Sequence, residues 1–244
     1  SGSGVTALSS SAMTGSNAYY SLEINGTGTF TAGVAVAADN NLTVYDGNLI
    51  MGSNALTVGS TGVINSGSLK VASGDTLNQA SGGTTTILGS ASGSNCLGST
   101  GASCAGTAGT LVFGGLTIGD GSTAFTTTFG GTNPTTTVDN IFRIRDSATF
   151  AAGSGTVNLK GPSGVSFLKT GTLTPNTSTF TYFTVDALSI ATTTYYNLSL
   201  TPTGTASIIL TTNILDVDNN LIVGDGTNAL TVNADINDPT VDID

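Results

Sequence analysis

The stretch Leu49-Ile50-Met51-Gly52-Ser53-Asn54-Ala55-Leu56-Thr57-Val58-Gly59-Ser60-Thr61-Gly62-Val63, continuing through Leu69 to Leu77, decides the fold. Apolar anchors fall at Leu49, Leu56, Val63, Leu69 and Leu77, six to eight residues apart. Each anchor sits in a run of three or four residues, and a Gly- or Asn-bearing turn such as Gly59-Ser60-Thr61-Gly62 follows. Gly and Asn tolerate the positive φ that tight corners demand. Alternation within each run predicts a short strand with one face turned inward. Steady corners predict that each strand forms one wall of a coil and that the coils stack in parallel. We therefore expect an all-β chain folded as a parallel β-solenoid (β-helix), with Leu, Val and Ile inside and Thr, Ser and Asn outside. The alternative is a β-sandwich or jelly-roll subunit with strand exchange, which the longer runs 141–150, 178–185 and 206–212 would suit.

The same pattern extends in both directions, as Leu42-Thr43-Val44, Ser68-Leu69-Lys70-Val71, Leu116-Thr117-Ile118 and Leu230-Thr231-Val232. Helix is disfavoured throughout. Strong helix formers are scarce, Thr alone supplies 44 of 244 residues, and no long window carries a Gly-free helical stripe. Hydrophobic residues make up 38% and mean hydropathy is +0.23, too apolar for a disordered polar tract.

Longer echoes overlie the short rhythm. Tyr19-Tyr20-Ser21-Leu22 returns as Tyr195-Tyr196-Asn197-Leu198, and Asp46-Gly47-Asn48-Leu49-Ile50-Met51-Gly52 as Asp218-Asn219-Asn220-Leu221-Ile222-Val223-Gly224. Asn54-Ala55-Leu56-Thr57-Val58 recurs unchanged as Asn228-Ala229-Leu230-Thr231-Val232. The offsets of 176, 172 and 174 residues point to one unit over 1–175 and the start of a second copy over 176–244. A weaker third copy runs from Leu116 through Gly119-Asp120-Gly121 to Phe125.

Phrases such as Tyr195-Tyr196-Asn197-Leu198-Ser199-Leu200 and Asn220-Leu221-Ile222-Val223-Gly224-Asp225-Gly226 resemble the Thr/Gly/Asn-rich repeat regions of large bacterial surface proteins, adhesin-like or autotransporter-passenger-like. The resemblance implies a β-helical chain with an extracellular, structural or adhesive role, and it carries over no catalytic residue.

Charge and composition narrow the function classes. Net charge is −10 with only five Lys+Arg, so nucleic acid is not an expected partner. The absence of His removes Ser-His-Asp and Cys-His catalysis and imidazole metal sites. Cys96 and Cys104 lie in the Gly/Ser-rich segment 90–109, where a short flexible loop permits a disulfide and favours an oxidising compartment. The chain starts at Ser1 and holds no 18-residue apolar run, so we expect a secreted chain whose signal is already removed, without a transmembrane segment.

Candidate sites are few. Seven of the fifteen acidic residues fall after residue 215, and Asp216, Asp218 and Asp225 are candidate Ca²⁺ ligands, although Gly224-Asp225-Gly226 also reads as an ordinary Asp-Gly turn. No other cofactor is expected. Arg143 and Arg145 share the outward face of one strand, near Asp139 and Asp146, an arrangement that a polysaccharide-cleaving site could use but that reads first as a solvated basic pair. Tyr19-Tyr20 and Tyr195-Tyr196 should each point one ring inward and one outward, the outward ring being a candidate sugar platform. Asn25, Asn41, Asn176 and Asn197 head glycosylation sequons. The tail Thr240-Val241-Asp242-Ile243 alternates like a strand and shows no polar cap, so we expect it to act as an assembly strand. The resulting expectation is a non-enzymatic extracellular fibre subunit that polymerises with itself, head to tail. The alternative is a carbohydrate- or surface-binding adhesin module recognising surface glycans.

Overall fold

The computed structural model describes residues 5–8, 19–62, 67–91, 93–161, 164–184, 188–210, 214–233 and 240–243. It is a β-solenoid of about eight turns, nearly all strand and without α-helix among the described residues. Every strand ladder among the described residues is parallel, and the coils pass through three walls in a constant order.

The first wall stacks residues 36–38, Leu56–Val58, Thr84–Ile87, Gly115–Ile118, Phe142–Ile144 and Phe167–Lys169. The second stacks 21–24, 41–44, Ser68–Val71, Ser94–Gly98, Phe125–Gly130, Ala148–Ala151 and Thr172–Thr174. The third runs from Val5–Leu8 through 29–32, 48–52, Thr76–Gln79, Thr110–Phe113, Thr135–Val138, Thr156–Leu159 and Thr179–Thr184 to 197–202 and 220–223. Near the C-terminal end the first wall shifts sideways at Ser166. It continues as a separate four-stranded sheet of Gly164–Val165, Leu188–Ser189, Ala206–Ile209 and Leu230–Asn233.

The anchors expected from sequence line up in columns. Leu49, Leu77 and Leu111 pair in register on the third wall, and Leu22, Leu42, Leu69 and Leu97 on the second. All are buried. Val63 lies outside the described residues. Coil length is set by the corners: 18 residues separate Phe180 from its partner Leu198, whereas 34 separate Leu77 from Leu111. This variation hides the repeat from any fixed-period search.

Two features of the strands depart from the sequence reading. The run 141–150, read as one long strand suited to a sandwich, is two wall strands separated by a corner at Arg145–Ser147. Conversely, Tyr19–Ala32 and Val36–Gly52 are 14 and 17 residues long, each bending through more than one wall. Gly47 makes the bend in the second of these: its φ is +100°, and a Cβ there would lie 2.2 Å from the carbonyl oxygen of Gly26 in the preceding coil. Only glycine fits.

The core changes chemistry along the axis. Up to Leu111 the buried core holds no aromatic ring among the described residues, whereas the C-terminal part holds a chain of rings, Phe129–Phe150–Phe142–Phe167–Phe180–Tyr195–Tyr182. Successive centroids lie between 5.1 and 6.3 Å apart, the range in which aromatic pairs attract beyond their buried area. The buried Gln79 ties neighbouring coils together. Its Nε2 donates to Asn54 O (2.7 Å), and its Oε1 accepts from Thr85 Oγ1 (3.0 Å) and Gly114 N (3.2 Å).

The longer echoes prove to be corner modules. Asn54 and its copy Asn228 each donate Nδ2 to a main-chain carbonyl in the preceding coil, Ala32 (2.9 Å) and Pro202 (3.3 Å). Leu49 and Leu221 both occupy the third wall, and Leu56 and Leu230 both follow on the first wall or its shifted continuation. Leu22 and its echo Leu198, however, stand on different walls, because Leu22 pairs with Leu42 and Leu198 with Phe180. Parallel stacking continues across residue 175, which lies at the corner between Thr172–Thr174 and Thr179–Thr184.

Candidate functional site

Two places on the solenoid carry chemistry that the repeating coil does not require: its C-terminal coil and a groove on the outer face of the first wall.

At the C-terminal coil the inward columns lose their cover. Leu200, Ile208, Leu215 and Val217 are buried, yet their in-register partners Val223, Val232, Val241 and Ile243 are 54%, 36%, 45% and 50% exposed. Thr240–Ile243, the expected assembly strand, pairs in parallel with residues 214–217 of its own chain. Among the described residues its other edge is unpaired, as are the outer edges of 220–223 and 230–232. All three walls therefore present apolar side chains and strand edges together.

The candidate Ca²⁺ ligands lie in this coil but are dispersed. Asp216 accepts a hydrogen bond from Thr194 Oγ1 (2.7 Å) and stands in register with Asp242, while Asp218 is exposed. Asp225 is engaged by its own turn. Its Oδ1 accepts from the backbone N–H groups of Thr227 (2.9 Å) and Asn228 (2.7 Å), and its Oδ2 from Asn228 Nδ2 (2.7 Å). These bonds hold its carboxyl below the usual aspartate range. Among the described residues no three His, Cys, Asp or Glu side chains gather where they could hold a metal.

Asp120 repeats this turn in the middle of the chain. Its Oδ1 accepts from the N–H groups of Ser122 and Thr123 and its Oδ2 from their hydroxyls, at 2.8–2.9 Å. The two backbone bonds dominate and push its carboxyl far below the ordinary value. Asp120 also borders the groove, of about 360 Å³, which Gly121, Arg143, Arg145, Asp146, Leu168 and Thr170 complete. Phe142 and Ile144 point inward at 0% exposure, so Arg143 and Arg145 face out, as the alternation predicts. Arg145 Nη1 donates to the carbonyl of Asp120 (3.1 Å). Among the described residues the guanidinium of Arg143 has no hydrogen-bond or ion-pair partner. Asp139 sits at the preceding corner, its N–H bonded to Phe113 O, and does not border the groove. A second hollow shares Leu168 and continues past Lys169 to Ser189–Thr192.

Sequence reasoning paired Arg143 and Arg145 but missed Asp120, Leu168 and Thr170, which lie one coil away on either side. The Gly-Asp-Gly echo marked Asp120 as a turn, whereas nothing short of the register Arg143↔Leu168 marks Leu168 as outward.

The remaining candidates are structural in position. Cys96 and Cys104 form a disulfide with Cα atoms 5.5 Å apart, closing a short 3₁₀ turn at Ala102–Cys104 onto the second wall. Tyr195 is fully buried and Tyr20 is 67% exposed, so both tyrosine pairs straddle the wall. Asn41 and Asn197 use their amides between coils, Asn41 Oδ1 accepting from Ser68 N and Asn197 Oδ1 from Asn219 and Asn220. Asn25 and Asn176 are exposed. No helix among the described residues is long and apolar enough to cross a membrane. Compared with known protein families, curated proteins and solved structures, the chain returns no match.

Proposed function

We propose that the chain is a non-enzymatic structural solenoid of the cell surface that extends into a fibre by head-to-tail pairing of strands. The observation that carries this reading is the open face of the last described coil. Val223, Val232, Val241 and Ile243 continue buried columns in register, yet they are exposed. A further coil stacked on them would bury the exposed part of each side chain, contributing about 1 kcal/mol apiece, since each is already roughly half covered. It would also pair the strand edges of all three walls. The occupant we assign is the N-terminal coil of a second copy, where residues 19–25 pair on one side only among the described residues. A contact between different surfaces does not close on itself, so repetition makes a filament. The Cys96–Cys104 disulfide supports an oxidising location.

The test compares the wild type with Val223→Lys/Val241→Lys by sedimentation and electron microscopy at rising concentration. Filaments whose fibre diffraction shows the strand spacing of about 4.8 Å along the axis, abolished in the double variant, are the expected result. Wild-type chains that stay monomeric overturn the assignment. So does a native polypeptide whose own following residues cover this coil.

A further inference from the structure

We propose that the groove beside Arg143 binds an acidic polysaccharide, with Arg143 holding a uronate carboxylate and the neighbouring side chains holding ring hydroxyls. The proposal is independent of end-to-end assembly, because the groove lies on the lateral face of the middle coils and not on the last described coil.

Charge distribution is the first argument. The chain carries only five basic residues against fifteen acidic ones, and four of the five fall between Arg143 and Lys169. Three of these, Arg143, Arg145 and Lys169, border two hollows that meet at Leu168. Arg143 and Lys169 stand on the first wall in adjacent coils, and Arg145 lies at the corner that follows Arg143.

Availability is the second argument. Arg143 is half-buried, flanked in its outward column by Thr117 above and Leu168 below, and its guanidinium has no partner among the described residues. Asp120, which borders the same groove, has both carboxylate oxygens engaged by Ser122 and Thr123. Arg145 is fixed in place by its bond to the Asp120 carbonyl. A half-buried guanidinium with vacant donors is a fork for a planar carboxylate, which it grips through two parallel hydrogen bonds.

The other lining residues choose the class of polymer. Asp146 is exposed at the edge of the groove and would repel a ligand that offered only negative charge. A saccharide with both carboxylate and hydroxyl groups uses both kinds of side chain: its hydroxyls donate to Asp146 and exchange hydrogen bonds with Thr170, Ser189 and Thr192. Leu168, an outward aliphatic side chain that follows Thr57, Thr86, Thr117 and Arg143 in one column, supplies an apolar step for a ring face. The shape fits an extended chain. The two hollows cross four successive coils, from Gly121 to Ser189, which at a strand spacing of about 4.8 Å spans about 14 Å.

The experiment measures binding of polygalacturonate, and of the same polymer fully methyl-esterified, by calorimetry and by retardation in polymer-containing gels. The proteins are the wild type, Arg143→Gln and, as a control on the second wall, Lys70→Gln. We expect the wild type and Lys70→Gln to bind the acid polymer, Arg143→Gln to lose at least tenfold in affinity, and esterification to cause a comparable loss. Arg143 faces outward, so its variant should keep the wild-type circular dichroism and melting temperature. The esterified polymer tests the same contact without any substitution. Absence of binding to the acid polymer, equal binding of acid and ester, or unchanged binding by Arg143→Gln would each overturn the proposal. Self-association that Arg143→Gln abolishes, with no polymer bound, would assign the groove to an acidic surface of a second copy and overturn it as well.

Discussion

The phenol oxygens of Tyr182 and Tyr195 lie 2.7 Å apart inside the solenoid, and Tyr195 Oη donates onward to the carbonyl of Ala191 at 3.0 Å. Both side chains are completely buried, so the two hydroxyls and one carbonyl form a closed relay in which Tyr182 donates to Tyr195. The relay ends the aromatic chain and fastens the coil of Thr179–Thr184 to the strand Thr194–Pro202.

The relay has a direction, so its two members should not be equivalent. Tyr182→Phe removes one donor and leaves the Tyr195–Ala191 bond intact, at a cost of about 1 kcal/mol. Tyr195→Phe strands both the Tyr182 hydroxyl and the Ala191 carbonyl in the core, at a cost of about 2–3 kcal/mol. Urea denaturation of both variants and of the double variant checks the order; equal costs would contradict it.

Burial is the main reason that both phenols titrate well above their ordinary value of 10.0, because it disfavours the phenolate. For Tyr195 the neighbouring Tyr182 raises it further. An acid whose folded pKa is raised stabilises the fold fully below the unfolded value. That contribution is lost as pH rises beyond it, because the unfolded chain releases protons that the folded chain keeps. Stability should therefore decline steadily above pH 10.0, and more gently in Tyr182→Phe. Denaturant midpoints measured across that range report both slopes.

Asp120 gives the opposite sign. Backbone N–H groups of Thr123 and Ser122 favour its charged form and lower its pKa from 3.8. Its stabilisation is present above that value and is lost as pH falls below it. Melting temperature should drop on acidification through this range, and Asp120→Ala should be less stable at neutral pH with a flatter acid limb. Asp120→Asn keeps most of the turn at neutral pH, since an amide oxygen still accepts the backbone bonds.

Phe142 touches Phe150 edge-on at 5.2 Å and lies flat against Phe167 at 5.1 Å, in the centre of the aromatic chain. Truncation to Ala should cost about 3–5 kcal/mol, because flanking coils held by their own ladders cannot collapse into the gap. Phe142→Leu should cost less than Phe142→Ala. Denaturation curves distinguish the two.

The disulfide loop rests on Gly130, where a Cβ would come within 2.6 Å of Cys104 Sγ and of its carbonyl oxygen. Removing the bridge by Cys96→Ser/Cys104→Ser should cost about 2–3 kcal/mol, as expected for a short closed loop. Gly130→Ala should cost about 1–3 kcal/mol through overpacking. That penalty should shrink when the bridge is absent and the loop can lift. A double-mutant cycle measures the difference.

The solenoid class was legible because its cause is local. Alternation at Leu42-Thr43-Val44 and Leu56-Thr57-Val58 demands a strand with one buried face, and the glycines between such runs demand corners. Local order also predicted that Arg143 and Arg145 face outward opposite Phe142 and Ile144, and that Cys96 reaches Cys104. Register between coils was not legible. Leu22 and Leu198 begin matching phrases yet stand on different walls, because coils of 18 to 34 residues shift later phrases by a wall without disturbing the alternation. Only stacking brings Phe129, Phe150, Phe142 and Phe167 into one ring chain, sets Leu168 beside Arg143, and leaves Val223 and Val241 uncovered at one end. What each strand and corner would be depends on neighbours along the chain and was legible from them. Which residues meet from coil to coil depends on accumulated corner lengths, and that was decided by the tertiary structure.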